Sequence, residues 1–179
     1  MRRQRHGDLP KDPATLHDLV IPEEWKTTGK TNPRPFLNHD SGPDERQRIL
    51  VYSAEEQLRH LGQADTWYMD GNFAMSLNVF DQLYCIRAPL GETTISCTYA
   101  FLPGKSSHIY EELLQAIVHK MEELHIYPDP KIIITDFELA VRGYCTWTSR
   151  RYTRLLLPSV PEQMEEDPGT GKDGALSHK

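Results

Sequence analysis

Two aspartates stand at the ends of short apolar runs: Asp70 in Trp67-Tyr68-Met69-Asp70-Gly71-Asn72-Phe73 and Asp136 in Ile132-Ile133-Ile134-Thr135-Asp136-Phe137-Glu138. Both runs are rich in aromatic and β-branched residues and read as strands, so each acid is expected at the rim of a buried sheet. Carboxylates placed there suit a divalent cation held against phosphate oxygens. Mg²⁺ takes hard oxygen ligands and commonly keeps one or two protein carboxylates plus substrate phosphates. Read without chemistry, Asp70-Gly71 is a turn closing a strand, and Asp136 is the N-cap of a helix starting near Phe137-Glu138-Leu139-Ala140. Glu138 is then a first-turn helix acid. The strand-and-helix pattern fails soon after Asp136, so no third acid is evident.

The elements that must position these acids begin near Arg48. Ile49-Leu50-Val51-Tyr52 reads as a strand, and Ser53 and Glu56 have the spacing of a capping box, which predicts a short helix over 53–61. Strands are expected at about 66–73, 80–88 and 93–102, with Pro89-Leu90-Gly91 turning the second into the third. Ile95, Cys97, Tyr99 and Phe101 alternate with Thr94, Ser96, Thr98 and Ala100, the pattern of a half-buried strand. Ser107 is the expected N-cap of a helix over 108–125, whose apolar stripe is Ile109, Leu113, Ile117, Met121 and Leu124. Residues 131–135 make a fully apolar strand suited to the centre of a sheet. Three antiparallel strands, a crossover helix and a further strand place that last strand parallel to a neighbour, most simply the first. Asp70 and Asp136 then meet on adjacent strands, an α/β mixed sheet with the opening layout of a ribonuclease-H-like fold.

Flanking segments differ in character. Pro10, Pro13, Pro22, Pro33, Pro35 and Pro43 break any helix across residues 1–44, which read as an extended arm. The basic start Met1-Arg2-Arg3-Gln4-Arg5-His6 reads as solvated, with nuclear targeting as the alternative. Residues 143–157 show no clear period, and 158–179 are rich in Pro, Gly, Glu and Lys, so 143–179 reads as a divergent, largely disordered tail.

Composition narrows the function classes. The 179 residues allow one domain plus flanks, and no apolar run approaches the length of about 18 residues that spans a bilayer. Cys85, Cys97 and Cys145 form no C-x-x-C pair, so a soluble protein of a reducing, intracellular compartment is expected. The net charge of −6 sits in residues 45–142, which carry 8 Lys+Arg against 14 Asp+Glu. DNA binders gain affinity from cations that neutralise phosphates, so unaided DNA binding by this acidic core is expected to be weak. Lys105, in Pro103-Gly104-Lys105-Ser106-Ser107, lacks the glycine spacing of a Walker phosphate loop and reads as a strand-to-helix turn. Trp67, Tyr68, Phe73, Phe80 and Tyr84 could stack nucleobases, although their alternation assigns most of them to the core. The histidines form no ligand cluster.

Six segments, in order along the chain, resemble the transposases of Mutator-like elements (MULE). They are Asp40-Ser41-Gly42, Arg48-Ile49-Leu50-Val51-Tyr52, Trp67 to Phe73, Phe80-Asp81-Gln82-Leu83-Tyr84, Tyr99-Ala100-Phe101-Leu102-Pro103-Gly104-Lys105 and Thr135-Asp136-Phe137-Glu138. The similar stretch runs from Ile21 to Arg142, roughly two-thirds of the chain. The resemblance implies a ribonuclease-H-like DNA transposase domain that holds Mg²⁺ or Mn²⁺ with two Asp and one Glu. Asp70 and Asp136 match the first two of these catalytic and metal ligands. In such a site two metals about 3.5–4 Å apart stabilise the attacking and leaving oxygens of a phosphodiester displacement.

The match stops near Arg142, before the segment that would bear the Glu, and Cys145-Thr146-Trp147 does not resume it. The implied protein is therefore a truncated or domesticated MULE domain, catalytically incomplete. Its two carboxylates would bind one cation loosely and lack the means to clamp a second. The rival reading is a domesticated protein-interaction module without enzymatic activity, in which a sheet edge pairs with a partner strand.

Overall fold

The computed structural model describes residues 13–29, 31–73, 76 and 78–135, together with the backbone of 154–156. The apolar runs pair into one mixed sheet. Its strands, in chain order, are β1 (Leu37–Asp40), β2 (Leu50–Tyr52), β3 (Thr66–Asn72), β4 (Gln82–Leu90), β5 (Thr93–Leu102), β6 (Ile132–Thr135) and β7 (Arg154–Leu156). The spatial order is β1-β2-β5-β4-β3-β6-β7. Among the described residues two α-helices, α1 (Glu55–Gln63) and α2 (Ser107–Glu123), accompany the sheet in an α/β architecture. As expected from the crossover, β6 lies parallel to β3, and β7 continues parallel to β6. The Asp65 carbonyl starts the parallel ladder by accepting from the N–H groups of Lys131 and Ile132 at 2.8 and 2.9 Å.

Both faces of the sheet carry core. On one face Leu58 and Leu61 of α1 and Ile109, Leu113, Ile117 and Met121 of α2 pack on Val51, Trp67, Met69, Ile86, Leu102 and Ile133. The expected α2 stripe is buried as far as Met121, and Leu124 is partly buried against the same cluster. On the other face Leu19, Ile21, Leu50, Tyr52 and Phe80 form a second cluster with Leu16, Phe36, Tyr99 and Phe101. Its aromatic rings are in contact, with centroids 5.4 Å apart for Phe36–Tyr52 and 5.6 Å for Phe80–Phe101.

Several local expectations shift, each for an identifiable reason. The residues of β5 do not share one buried face. Ile86 pairs with Thr98 and Arg87 with Ser96, so Cys97 is an extra residue at a β-bulge. The bulge reverses the alternation: Ile95 and Cys97 belong to the helix-side core, whereas Tyr99 and Phe101 join the second cluster. Ser53 does not cap α1, because its hydroxyl donates to the buried Cys97 carbonyl at 2.5 Å. The cap position is Ala54, whose N–H donates to Gln57 Oε1 at 3.1 Å. The N-cap of α2 is Ser106, one residue before the expected Ser107, and its hydroxyl accepts from the Ile109 N–H. Pro89 and Leu90 extend β4, leaving Gly91-Glu92 as a two-residue turn with Gly91 at φ +60°. Primed hairpin turns require that conformation at their first position. The strand β7 falls within the segment expected to be without regular structure.

The arm is the larger correction. The described residues of 13–44 are not a loose flank, since β1 joins the sheet, Glu23–Trp25 form a 3-10 helix, and Leu19 and Ile21 are buried. Arg48 causes this. Its side chain is only 4% exposed, and it donates through Nε and Nη2 to the two Asp40 carboxylate oxygens, at 2.7 Å each. Nη1 donates to the carbonyls of Leu16 at 3.0 Å and Leu19 at 2.8 Å. Asp40 also accepts from the Gly42 N–H at 2.9 Å, an Asx turn that suits Gly42 at φ +101°. Burial alone would raise the Asp40 carboxyl, but the Arg48 and Gly42 hydrogen bonds outweigh it and hold the carboxyl below its usual range. Burial, reinforced by the Asp40 charge, pushes the neighbouring Tyr52 phenol up to about 12.

Asp40→Asn should destabilise the protein by about 3 kcal/mol at neutral pH, since it leaves a buried guanidinium without its counter-charge. The ordinary carboxyl value is 3.8, and the folded value lies lower. The pair's contribution is therefore whole above that pH and is lost as pH falls through the folded value. Urea unfolding at neutral and acid pH should show a shallower acid decline for Asp40→Asn than for the native protein.

Candidate functional site

Strand β3 occupies the point at which the sheet order reverses. From β3 the chain moves to β4 and β5 on one side, then crosses through α2 and resumes on the other side with β6. In open α/β sheets the crevice outside the carboxyl ends of strands at such a reversal is the preferred ligand position. Of the two acids singled out by the sequence, Asp70 belongs to the carboxyl-terminal half of β3.

Alternation along β3 sets the direction of each side chain. Trp67 and Met69 are 3% and 2% exposed and enter the helix-side core. The Trp67 indole N–H donates to the Leu61 carbonyl at 3.0 Å, which ties this rung to the end of α1. Asp70, next in the alternation, falls on the opposite face and is exposed. The dipeptide Asp70-Gly71 is not a turn. Asp70 pairs in register with Cys85, Gly71 with Tyr84 and Asn72 with Leu83, so the strand continues past the acid. Burial pushes the Cys85 thiol up; Arg87 opposes the rise, and the Asp70 charge across the rung adds to it.

On the parallel side Trp67 pairs with Ile133 and Met69 with Thr135. These last partners immediately precede Asp70 and Asp136 in the sequence. Asp136 itself, Phe137, Glu138 and the expected helix after them lie outside the described residues. Among the described residues no group of three or more His, Cys, Asp or Glu side chains is arranged to hold a metal ion. The donor set there supplies the Asp70 carboxylate, a hard oxygen ligand, but not a two-metal clamp.

A buried polar network braces the same end of the sheet, and the sequence reading missed it. Gln82 is fully buried; its Nε2 donates to the Gly104 carbonyl and to the Tyr110 hydroxyl, both at 2.9 Å. This joins the start of β4, the loop after β5 and the first turn of α2. Tyr110 also packs against Tyr84, with ring centroids 5.2 Å apart and the ring planes tilted by 54°. Gly71 leaves the space that Gln82 needs, since a Cβ built there would stand 2.4 Å from Gln82 Oε1. The signal was present in Phe80-Asp81-Gln82-Leu83-Tyr84, where a polar residue occupies a core-facing strand position.

Beyond Asn72 the chain bends, and Phe73 is half exposed beside Lys105, whose Nζ lies 3.9 Å from the ring centroid. The expected core assignment therefore holds for Trp67, Phe80 and Tyr84, which are buried, but not for Phe73. Cys85 and Cys97 are buried free thiols. No described helix is long and apolar enough to cross a membrane. Comparison with family models, with curated proteins and with solved structures gives no match for this chain.

Gly71→Ala should cost about 1–3 kcal/mol, because the new methyl group displaces a Gln82 amide that is buried and held at two points. Thermal melting measures the loss. Combining it with Gln82→Ala should recover part of the stability, since the clash is then gone.

Proposed function

We propose that this chain carries a MULE transposase-like domain of ribonuclease-H-like fold, with Asp70 and Asp136 as its ancestral metal-binding pair and without the third acid needed for strand transfer. The observation that carries this reading is the parallel pairing of β3 with β6 in a register that matches Met69 with Thr135. The residues that follow this pair in the sequence are Asp70 and Asp136, which this reading takes as neighbours. The strand order β5-β4-β3-β6-β7, with β6 parallel to both β3 and β7, supports the same reading.

The chemistry follows from the donors. Two carboxylates brought together repel unless a cation lies between them, which gives the pair an affinity for Mg²⁺ or Mn²⁺. A bound cation would supply charge neutralisation at a phosphate. Asp70, exposed at the strand end, would hold it, and the Gln82 network would keep that strand end rigid. Without a third acid the domain is expected to contact DNA weakly and to leave it uncut. Loss of one member of a catalytic unit commonly costs on the order of 10³-fold or more.

Titration of the full chain with Mn²⁺, followed by paramagnetic broadening of assigned amide signals, should broaden residues around Asp70 first. Asp70→Asn and Asp136→Asn should each abolish that effect. Unchanged broadening in either variant contradicts the metal pair. DNA cleavage or joining that depends on Asp70 contradicts the incomplete catalytic set. A stable protein complex recovered from cells, and unaffected by both substitutions, would favour the interaction-module reading instead.

A further inference from the structure

We propose that Arg87 is the phosphate contact of the site: its guanidinium takes oxygens of a phosphate group whose other oxygens lie on the cation held at Asp70. This inference deepens the metal-pair reading and rests on it. Alternation along β4 sends Tyr84, Ile86 and Ala88 into the helix-side core. Cys85 and the half-buried Arg87 therefore belong to the opposite face, which is also the face of Asp70. The register pairs Asp70 with Cys85 and Tyr68 with Arg87. Asp70 and Arg87 are thus diagonal neighbours on one face, a relation that sets residues about 7–8 Å apart and within reach of a long side chain.

Opposite charges so placed ordinarily pair, but these two do not. Among the described residues no ion pair joins Asp70 to Arg87, and Arg87 Nε is buried without a hydrogen-bond partner. Burial keeps the Cys85 thiol protonated at neutral pH, and that thiol feels the Arg87 and Asp70 charges with opposite sign. A neutral thiol is a weak acceptor and leaves the guanidinium uncompensated. Buried donors are nearly always matched by an acceptor. The fixed fork of a guanidinium matches phosphate and carboxylate oxygens.

Phosphate is favoured because the same face carries Asp70. It has oxygens enough for the guanidinium and for a cation held by a carboxylate. One aligned fork beside a bound cation needs no broad positive field, which suits residues 45–142 with their 8 cationic and 14 anionic side chains. A phosphodiester and a free phosphate share this chemistry, so both serve as probes.

The test follows the Arg87 Nε–H signal in the ¹⁵N-labelled full chain, assigned by its loss in Arg87→Lys. Inorganic phosphate and, separately, dimethyl phosphate are titrated with and without Mg²⁺. The signal should shift saturably, and Mg²⁺ should tighten the binding about tenfold. By linkage, phosphate should tighten Mn²⁺ binding at Asp70 by the same factor. Arg87→Met should remove that coupling while still binding Mn²⁺ without phosphate, and Arg87→Lys should retain only part of it. A response to dimethyl phosphate supports a diester as occupant; a response to inorganic phosphate alone supports a free phosphate or monoester. No shift with either probe, an equal shift with acetate, or a response indifferent to Mg²⁺ overturns the inference. If Mn²⁺ still broadens the residues around Asp70 in that event, the metal pair stands and only the Arg87 contact is lost. Absence of the broadening removes the metal pair and the phosphate contact with it.

Discussion

A single buried guanidinium governs how this sheet is covered. Arg48 meets the two Asp40 oxygens side by side and uses its remaining terminal nitrogen on two main-chain carbonyls of the arm. Charge removed from water is tolerated only where it is paired and its donors are satisfied. Asp40 lies at the end of β1 and Arg48 just before β2, so the pair sets the antiparallel pairing of these strands. The carbonyls of Leu16 and Leu19 then bring the arm across the second face, where Leu19 and Ile21 bury against Leu50 and Tyr52. A segment that would otherwise be a proline-broken flank becomes part of the core.

That covering has a consequence at the other end of the sheet. With β2 and β5 packed on both faces, the sheet has a rigid base from which β4 and β3 extend. Strand β3 is held on one side by a five-residue register with β4 and on the other by four parallel pairs with β6. The Gln82 amide closes the third side, linking the β4 start to the loop after β5 and to α2. Asp70 thus stands on a strand whose position is over-determined, while its side chain remains open to solvent. A group that must meet a cation or phosphate needs both properties: fixed backbone and free carboxylate.

Residue pattern made the architecture legible where the burial period was regular. The stripe from Ile109 to Met121, the apolar run at 132–135 and the alternation in β3 each led to the right element, and the crossover rule correctly made β6 parallel to β3. Legibility failed where one residue answered to a distant partner. Ser53 has the local chemistry of a cap but is drawn to the Cys97 carbonyl, and the bulge at Cys97 inverts the faces of half a strand. Neither effect has a period. Asp40 and Arg48 were visible as separate motifs, yet their joint role depends on a buried contact across eight residues. Phe73 looked like its aromatic neighbours because composition does not show the bend that follows Asn72.

The proposed metal pair requires the two acids to be neighbours at one edge of the sheet. The most direct measurement is the set of cross-strand nuclear Overhauser contacts in the isotopically labelled full chain. Continuation of the Met69–Thr135 ladder predicts contacts between the backbone protons of Asp70 and those of Thr135 and Asp136. If those signals are assigned and no such contact is found, the two carboxylates do not form a pair and the proposed site fails.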